Sequence, residues 1–283
     1  MGFGIEDRQA EAILFVEREL RQIWHDSQAR CAESLFDHPD AGLQKLDIAA
    51  EDGTAEAILY SPDSGKHPGL LFYTDIFGIR PANQGMAKHV AEQGYVVLMP
   101  NVFYRYRKPP FGANFKMGDP ESMKLLHALF ASLSGAMMEK DAPHYVKALL
   151  DQPNVSGKKI AVVGYCFTGA MALRTAAVCP DQVAAAASFH GGQLVTEAED
   201  SPHSRIPQVK GELYFGHAIE DSSMPPDAIE KLNDTLKAWG GEYDSEVYEG
   251  AKHGWTVPGR DVYNEKQAER HYQKLFDLMK RTL

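Results

Sequence analysis

The 283-residue chain has only three cysteines, Cys31, Cys166 and Cys179. Their number and spacing give neither a disulfide framework nor a paired C-x-x-C zinc site, which points to a reducing compartment. No apolar run approaches the ~18 residues that a membrane span needs. The opening segment MGFGIEDRQAEAILFVERELRQ also lacks the basic-then-apolar order of a secretory leader. The expectation is a soluble, cytoplasmic protein that uses no membrane. Positive charge is in the minority: 29 Lys and Arg stand against 39 Asp and Glu, for a net charge of −10. Nucleic acid is therefore not expected as a partner. Internal repeats, low-complexity tracts and His/Cys/Asp/Glu clusters with metal-ligand spacing are lacking too, so no metal and no cofactor is expected.

What the chain does have is alternation. Apolar residues at Ile13, Val16, Leu20 and Ile23 or Trp24 predict an amphipathic helix near the start, within an N-terminal helical extension over 1–40. Residues 41–283 then read as one α/β domain. Gln44–Ala50 and Ala55–Tyr60, joined across Asp52-Gly53, form a hairpin. Buried-strand runs follow at Gly69–Thr74, Gly94–Pro100, Lys158–Gly164, Val183–Phe189, Glu212–Phe215 and Tyr243–Tyr248. Helical patterns lie between them over 82–92, 121–132, 135–150, 226–239 and 261–281, and the segment 101–118 reads as a long loop. The implied architecture is a mostly parallel, doubly wound sheet with an antiparallel hairpin at its start.

The stretch KKIAVVGYCFTGAMALRTAAV, residues 158–178, organises the rest. It reads as strand, tight turn and helix, with Cys166 on the turn in Gly164-Tyr165-Cys166-Phe167-Thr168-Gly169. That is the nucleophile elbow of G-x-S-x-G hydrolases with a thiol in place of the hydroxyl. A helix N-terminus at this position favours a thiolate. A lone cysteine among apolar residues is equally the pattern of a small buried hydrophobe, so partners decide the matter.

Candidates stand where loops follow strand ends. His253, in Gly250-Ala251-Lys252-His253-Gly254-Trp255, follows the last strand and suits a general base and acid near neutrality. Asp221, with Glu220 as its alternative, follows the strand before and would fix the imidazole tautomer. Backbone N–H groups of Phe167 and Ile76 would form the oxyanion hole. Asp75 ends the Leu70 strand and stands either in the site or as a cap for the following turn. Phe77, Tyr104, Tyr165 and Trp255 are expected as pocket walls, with Arg105 and Arg107 as cations for an anionic substrate or simply as solvated loop charges. His190 and His217 are expected in supporting roles.

On Asp75-Ile76-Phe77-Gly78, Gly164-Tyr165-Cys166, Asp221 followed by Met224-Pro225, and His253-Gly254, the chain resembles the dienelactone hydrolase family, α/β-hydrolases with a Cys-Asp-His triad. The likeness runs from about Gly69 onward and does not reach the segment before Gln44. It implies the α/β-hydrolase fold and a triad of Cys166, Asp221 and His253. It also implies a carboxylate at Asp75 lying close to the resting thiol, where the family usually has Glu. Family members that act on dienelactone hold its carboxylate with arginines, one of them four residues after the histidine. Here that position is Val257, with Arg260 nearby. Thr168 stands where the elbow commonly has glycine.

The reading is a hydrolase of a small ester or lactone, monomeric or homodimeric. Its alternatives are a catalytically weak ligand- or partner-binding member of the fold and a redox-responsive thiol protein.

Overall fold

The computed structural model describes residues 42–111 and 119–283. The expected N-terminal amphipathic helix and residues 112–118 of the long loop lie outside those residues. Gly42–Leu283 forms one unit built on an eight-stranded sheet of order β1-β2-β4-β3-β5-β6-β7-β8. The strands are β1 (Leu43–Ala50), β2 (Gly53–Tyr60), β3 (His67–Tyr73), β4 (Val96–Pro100), β5 (Val155–Tyr165), β6 (Val183–Phe189), β7 (Glu212–Ala218) and β8 (Tyr243–Tyr248). β1 and β2 pair antiparallel over eight residue pairs, from Leu43 opposite Tyr60 to Ala50 opposite Gly53. β2 meets β4 antiparallel, and every pair from β4 to β8 is parallel. The mixed sheet with an opening hairpin is thus as the apolar pattern implies.

The helices are α1 (Pro81–Glu92), α2 (Pro120–Ala131), α3 (Gly135–Leu150), α4 (Gly169–Val178), α5 (Pro226–Trp239) and α6 (Glu265–Thr282). Their starts follow capping chemistry. Asp119 and Ser134 accept from Ser122 N and Met137 N at the heads of α2 and α3. The last helix begins four residues later than its sequence pattern suggests, because Asn264 caps it by accepting from Gln267 N at 3.2 Å.

Strand alternation sends side chains to two cores, one on each face of the sheet. Leu71, Tyr73, Ile160, Val162 and Phe215 join α3 and α4 on one face. Leu70, Phe72, Ala161, Val163 and Tyr165 join α1 and α6 on the other. β6, VAAAASF, is buried throughout. Its small side chains let α4 sit close above it, which brings the N-terminus of α4 over the carboxyl ends of the central strands. Among the described residues no helix is long and apolar enough to cross a membrane.

Candidate active site

β5 ends at Tyr165, a single turn of 3-10 helix spans Cys166–Thr168, and α4 begins at Gly169. Cys166 holds φ at +58°, a left-handed conformation that is uncommon for any residue with a side chain and typical of a strained functional turn. Steric limits around it are severe. A Cβ on Gly164 would lie 2.1 Å from the Thr168 carbonyl oxygen, and one on Gly169 would lie 2.3 Å from Ser188 Oγ. Glycine at both positions is what allows the strand, the turn and β6 to approach one another.

Cys166, half-buried on this turn, meets His253 from the loop after β8, with Nε2 3.0 Å from Sγ. On the far side of the imidazole, Nδ1 lies 2.6 Å from Asp221 Oδ2, from the loop after β7. Asp221 is 7% exposed. Its other oxygen accepts from Ser223 N at 2.9 Å and Ser223 Oγ at 2.7 Å. Glu220, its sequence alternative, is exposed. Burial would lower the His253 value, but the sulfur on one side and the Asp221 carboxylate on the other outweigh it and raise the imidazole to about 10. Asp221 is itself held below the usual carboxylate range: burial works against this, and the bonds from His253 and Ser223 prevail.

The two amides expected to meet an oxyanion belong to Ile76, on the loop after β3, and Phe167, on the turn after β5. Thr168 links their two segments: its Oγ1 accepts from Tyr165 N at 3.1 Å and donates to the Thr74 carbonyl at 2.7 Å. The loop after β6 closes the other side, with Gly192 N donating to the Cys166 carbonyl at 3.3 Å. His190 on that loop is buried at φ +41°, bonds Thr256 Oγ1 through Nε2 at 2.8 Å, and packs its ring edge-on against His253 at 5.2 Å. Burial, followed by the nearby His253 charge, keeps it neutral. His217 stacks on Phe215 and bonds Ser245 at 3.1 Å, near enough to Asp221 to feel its charge.

Other expected residues have different partners. The Asp75 carboxylate, expected beside the thiol, is gripped at both oxygens by Arg80 at 2.5 and 2.6 Å and accepts from Phe77 N at 3.1 Å. That is the turn-capping arrangement, reinforced by an ion pair. Tyr165, expected as a pocket wall, points through the sheet to the opposite face, where it stacks on Phe189 and lies 3.2 Å from His271. A strand residue adjacent to an inward-facing glycine must face the other way. Trp255 is fully buried against Tyr248 and His190 rather than lining an open wall. Tyr104 and Arg105 tie the β1–β2 turn to α3: Tyr104 Oη donates to Asp141 at 3.0 Å, and Arg105 pairs with Asp141 at 2.5 Å and Asp52 at 2.7 Å. An arginine so engaged is not free for a substrate anion, and Arg107 is a solvent-exposed loop charge.

Phe77 is held on a rigid cationic frame, with the Arg80 and Arg260 guanidinium groups 5.5 and 5.3 Å from its ring centroid. Val257, four residues after His253, is buried. Among the described residues no carboxylate pairs with Arg260, and no group of three or more His, Cys, Asp and Glu side chains is arranged to hold a metal ion. Sequence reasoning missed Ser223, whose spacing from Asp221 is that of an Asx turn, and the bonding role of Thr168, which has no local signal.

Residues 55–283 match the Dienelactone hydrolase family. A carboxymethylenebutenolidase of Rhodococcus opacus is 26% identical over 234 residues, covering 79% of this chain and 84% of its own. The hydrolase tropI of Talaromyces stipitatus is 28% identical over 203 residues, covering 71% and 75%. In fold, the chain is similar to a dienelactone hydrolase-like promiscuous phosphotriesterase from metagenomic libraries, at TM-score 0.70 and 20% identity over 85% of this chain and 98% of that one. With the family matched over most of its length, the chain belongs to the dienelactone hydrolase family.

Proposed function

We propose that this member of the family hydrolyses a small carboxylic ester or lactone through a thioester on Cys166. The observation that carries the reading is the continuous chain Sγ–Nε2 at 3.0 Å and Nδ1–Oδ2 at 2.6 Å, set on a turn where Cys166 adopts a left-handed backbone. Sulfur attacks the carbonyl carbon, and the carbonyl electron pair moves onto oxygen, which takes hydrogen bonds from the Phe167 and Ile76 amides. The carbon–oxygen ester bond then breaks, and the leaving alkoxide takes the proton from His253 Nε2. His253, now neutral, removes a proton from water as that water attacks the thioester. The carbon–sulfur bond breaks, the acid departs, and sulfur is again paired with a protonated imidazole. Asp221 holds Nδ1–H throughout and so keeps Nε2 aimed at the reacting atoms.

Each main-chain donor of this kind is worth about 3 kcal/mol of barrier. Because both are backbone groups, the identity of the Ile76 and Phe167 side chains matters less to this step than the loop geometry that Thr168 ties down.

The test is Cys166→Ala assayed against aryl esters and lactones, beside mass spectrometry of the wild type quenched during turnover. Loss of hydrolysis with the fold retained, and an acyl adduct on Cys166 alone, is the expected pair of results. Undiminished turnover by the variant would end the covalent scheme.

A further inference from the structure

A cavity of about 150 Å³ lies beside the reacting pair and plays no part in the bond-breaking steps. Leu133, Met138, Phe167, Ala170 and Gly192 are among the residues that line it, together with the buried Arg174. Two of these belong to the site itself. Phe167 is the residue after the nucleophile. The Cβ position of Gly192 lies 3.8 Å from His253 Cε1, and its amide bonds the Cys166 carbonyl. The cavity therefore opens where a substrate arm would lie while its carbonyl sits between Sγ and the oxyanion amides. Phe130 extends its apolar rim, packing edge-on against Phe167 at 4.9 Å while 40% exposed.

Its charged groups are already bonded to one another, and Gln193 in its lining is exposed to solvent. Arg174 pairs with Glu139 and donates to the Asp200 carbonyl, and Arg205 pairs with the same glutamate at 2.7 Å. With Asp200 Oδ2 3.6 Å from Arg174, two cations face two anions and no charge is left over. Ser201 Oγ likewise accepts from Thr196 N and bonds His203. A ligand thus meets no unpaired charge, and on the side of Leu133, Met138, Phe167 and Ala170 what the cavity offers is apolar contact. Engineered apolar cavities of about 150 Å³ take up benzene.

Resting on the hydrolase reading above, we infer that this cavity selects the substrate: it receives an uncharged apolar arm of the ester, of phenyl size or about six carbons. Met138 and Phe167 are among its apolar walls. Each methylene that enters should raise kcat/KM about fourfold, so a neutral ester with a six-carbon arm, four methylenes longer, should exceed its two-carbon counterpart by roughly 250-fold. Longer arms should gain nothing more.

The experiment measures kcat/KM for p-nitrophenyl esters of two- to ten-carbon acids and for acetates of one- to eight-carbon alcohols, which tells the two arms apart. Met138→Trp, which fills the cavity, should flatten the rise. Met138→Ala, which deepens it, should move the break to longer chains and serves if the tryptophan variant does not fold. In parallel, [methyl-13C]methionine spectra of the wild type are followed during titration with benzyl alcohol. The Met138 resonance, assigned by its loss in Met138→Ala, should shift and saturate. The resonance of Met99, buried on the other face of the sheet, should stay still. Hydrolysis with no chain-length dependence in either series and an unmoved Met138 signal would overturn the cavity proposal and leave the hydrolase reading standing. A saturable Met138 shift with no hydrolysis of any ester would support the cavity and overturn the activity.

Discussion

Asp221→Asn changes one atom at the far end of the site, and the surrounding donors dictate how the amide must sit. Asp221 Oδ1 accepts from the Ser223 backbone N–H, which cannot turn away, and from the Ser223 hydroxyl. An asparagine keeps its carbonyl oxygen on that side, so its NH2 faces His253 Nδ1, where the carboxylate oxygen now lies at 2.6 Å. Nδ1 must then accept rather than donate, and the proton is displaced to Nε2. A hydrogen bond to a charged group is worth about 1.5–3 kcal/mol, and one pH unit corresponds to about 1.36 kcal/mol. The imidazole should therefore fall from about 10 by at least one to two units. The sign is fixed by the direction of the shift. A value raised above that of the unfolded chain means that the imidazolium contributes stability in full below about 6.5, and that this contribution is lost as pH rises through about 10. The alkaline limb of wild-type kcat/KM should lie near 10 and move to about 8–9 in the variant, with activity at pH 7 reduced about 10- to 100-fold. Stopped-flow pH–rate profiles with a water-soluble aryl ester, read beside 15N imidazole shifts, measure both. A variant whose limb stays near 10 and whose rate stays within twofold would refute the role given to Asp221.

Two other substitutions probe the frame that carries the site. Arg80→Met leaves Asp75, at 2% exposure, with a buried charge and no guanidinium partner; urea unfolding should show a loss of about 3–5 kcal/mol, and Asp75→Asn added to it should recover part of that. Thr168→Val removes the hydroxyl between Tyr165 N and the Thr74 carbonyl while keeping the shape. The expected cost is about 1–3 kcal/mol in stability, with kcat falling more than KM changes because the Ile76 amide loses its tether, and Thr168→Ser should restore most of both.

The strands and the elbow were legible because apolar alternation, small residues and turn signals act within a few positions of one another. So was the reach from Cys166 to His253, since parallel strands collect their functional loops at one end of the sheet. What escaped depends on facing direction and on distant pairing. Tyr165 reads as a pocket wall because it is an aromatic at a strand end, yet period two along Ala161, Val163 and Tyr165 assigns it to the opposite core. Tyr104 and Arg105 sit in a loop of functional appearance, but the residue that claims them, Asp141, is 36 positions away from Arg105 on a helix, and no local pattern announces it.

Asp75 is the more instructive case, because its charge survives in the sequence while its use changes in the structure. An aspartate two residues before an amide closes an Asx turn with its own loop, and here Phe77 N donates to it. The same short side chain lies within reach of Arg80, five residues on, and both oxygens become occupied. A longer glutamate could extend past that turn toward the neighbouring elbow. With aspartate the carboxylate is compensated within its own loop by the Arg80 guanidinium. Among the described residues, the ionisable group bonded to Cys166 is His253 alone. On the proposed mechanism the histidine and Asp221 behind it therefore prepare the sulfur, and that proposal makes the position of one proton on the imidazole the variable that governs the site.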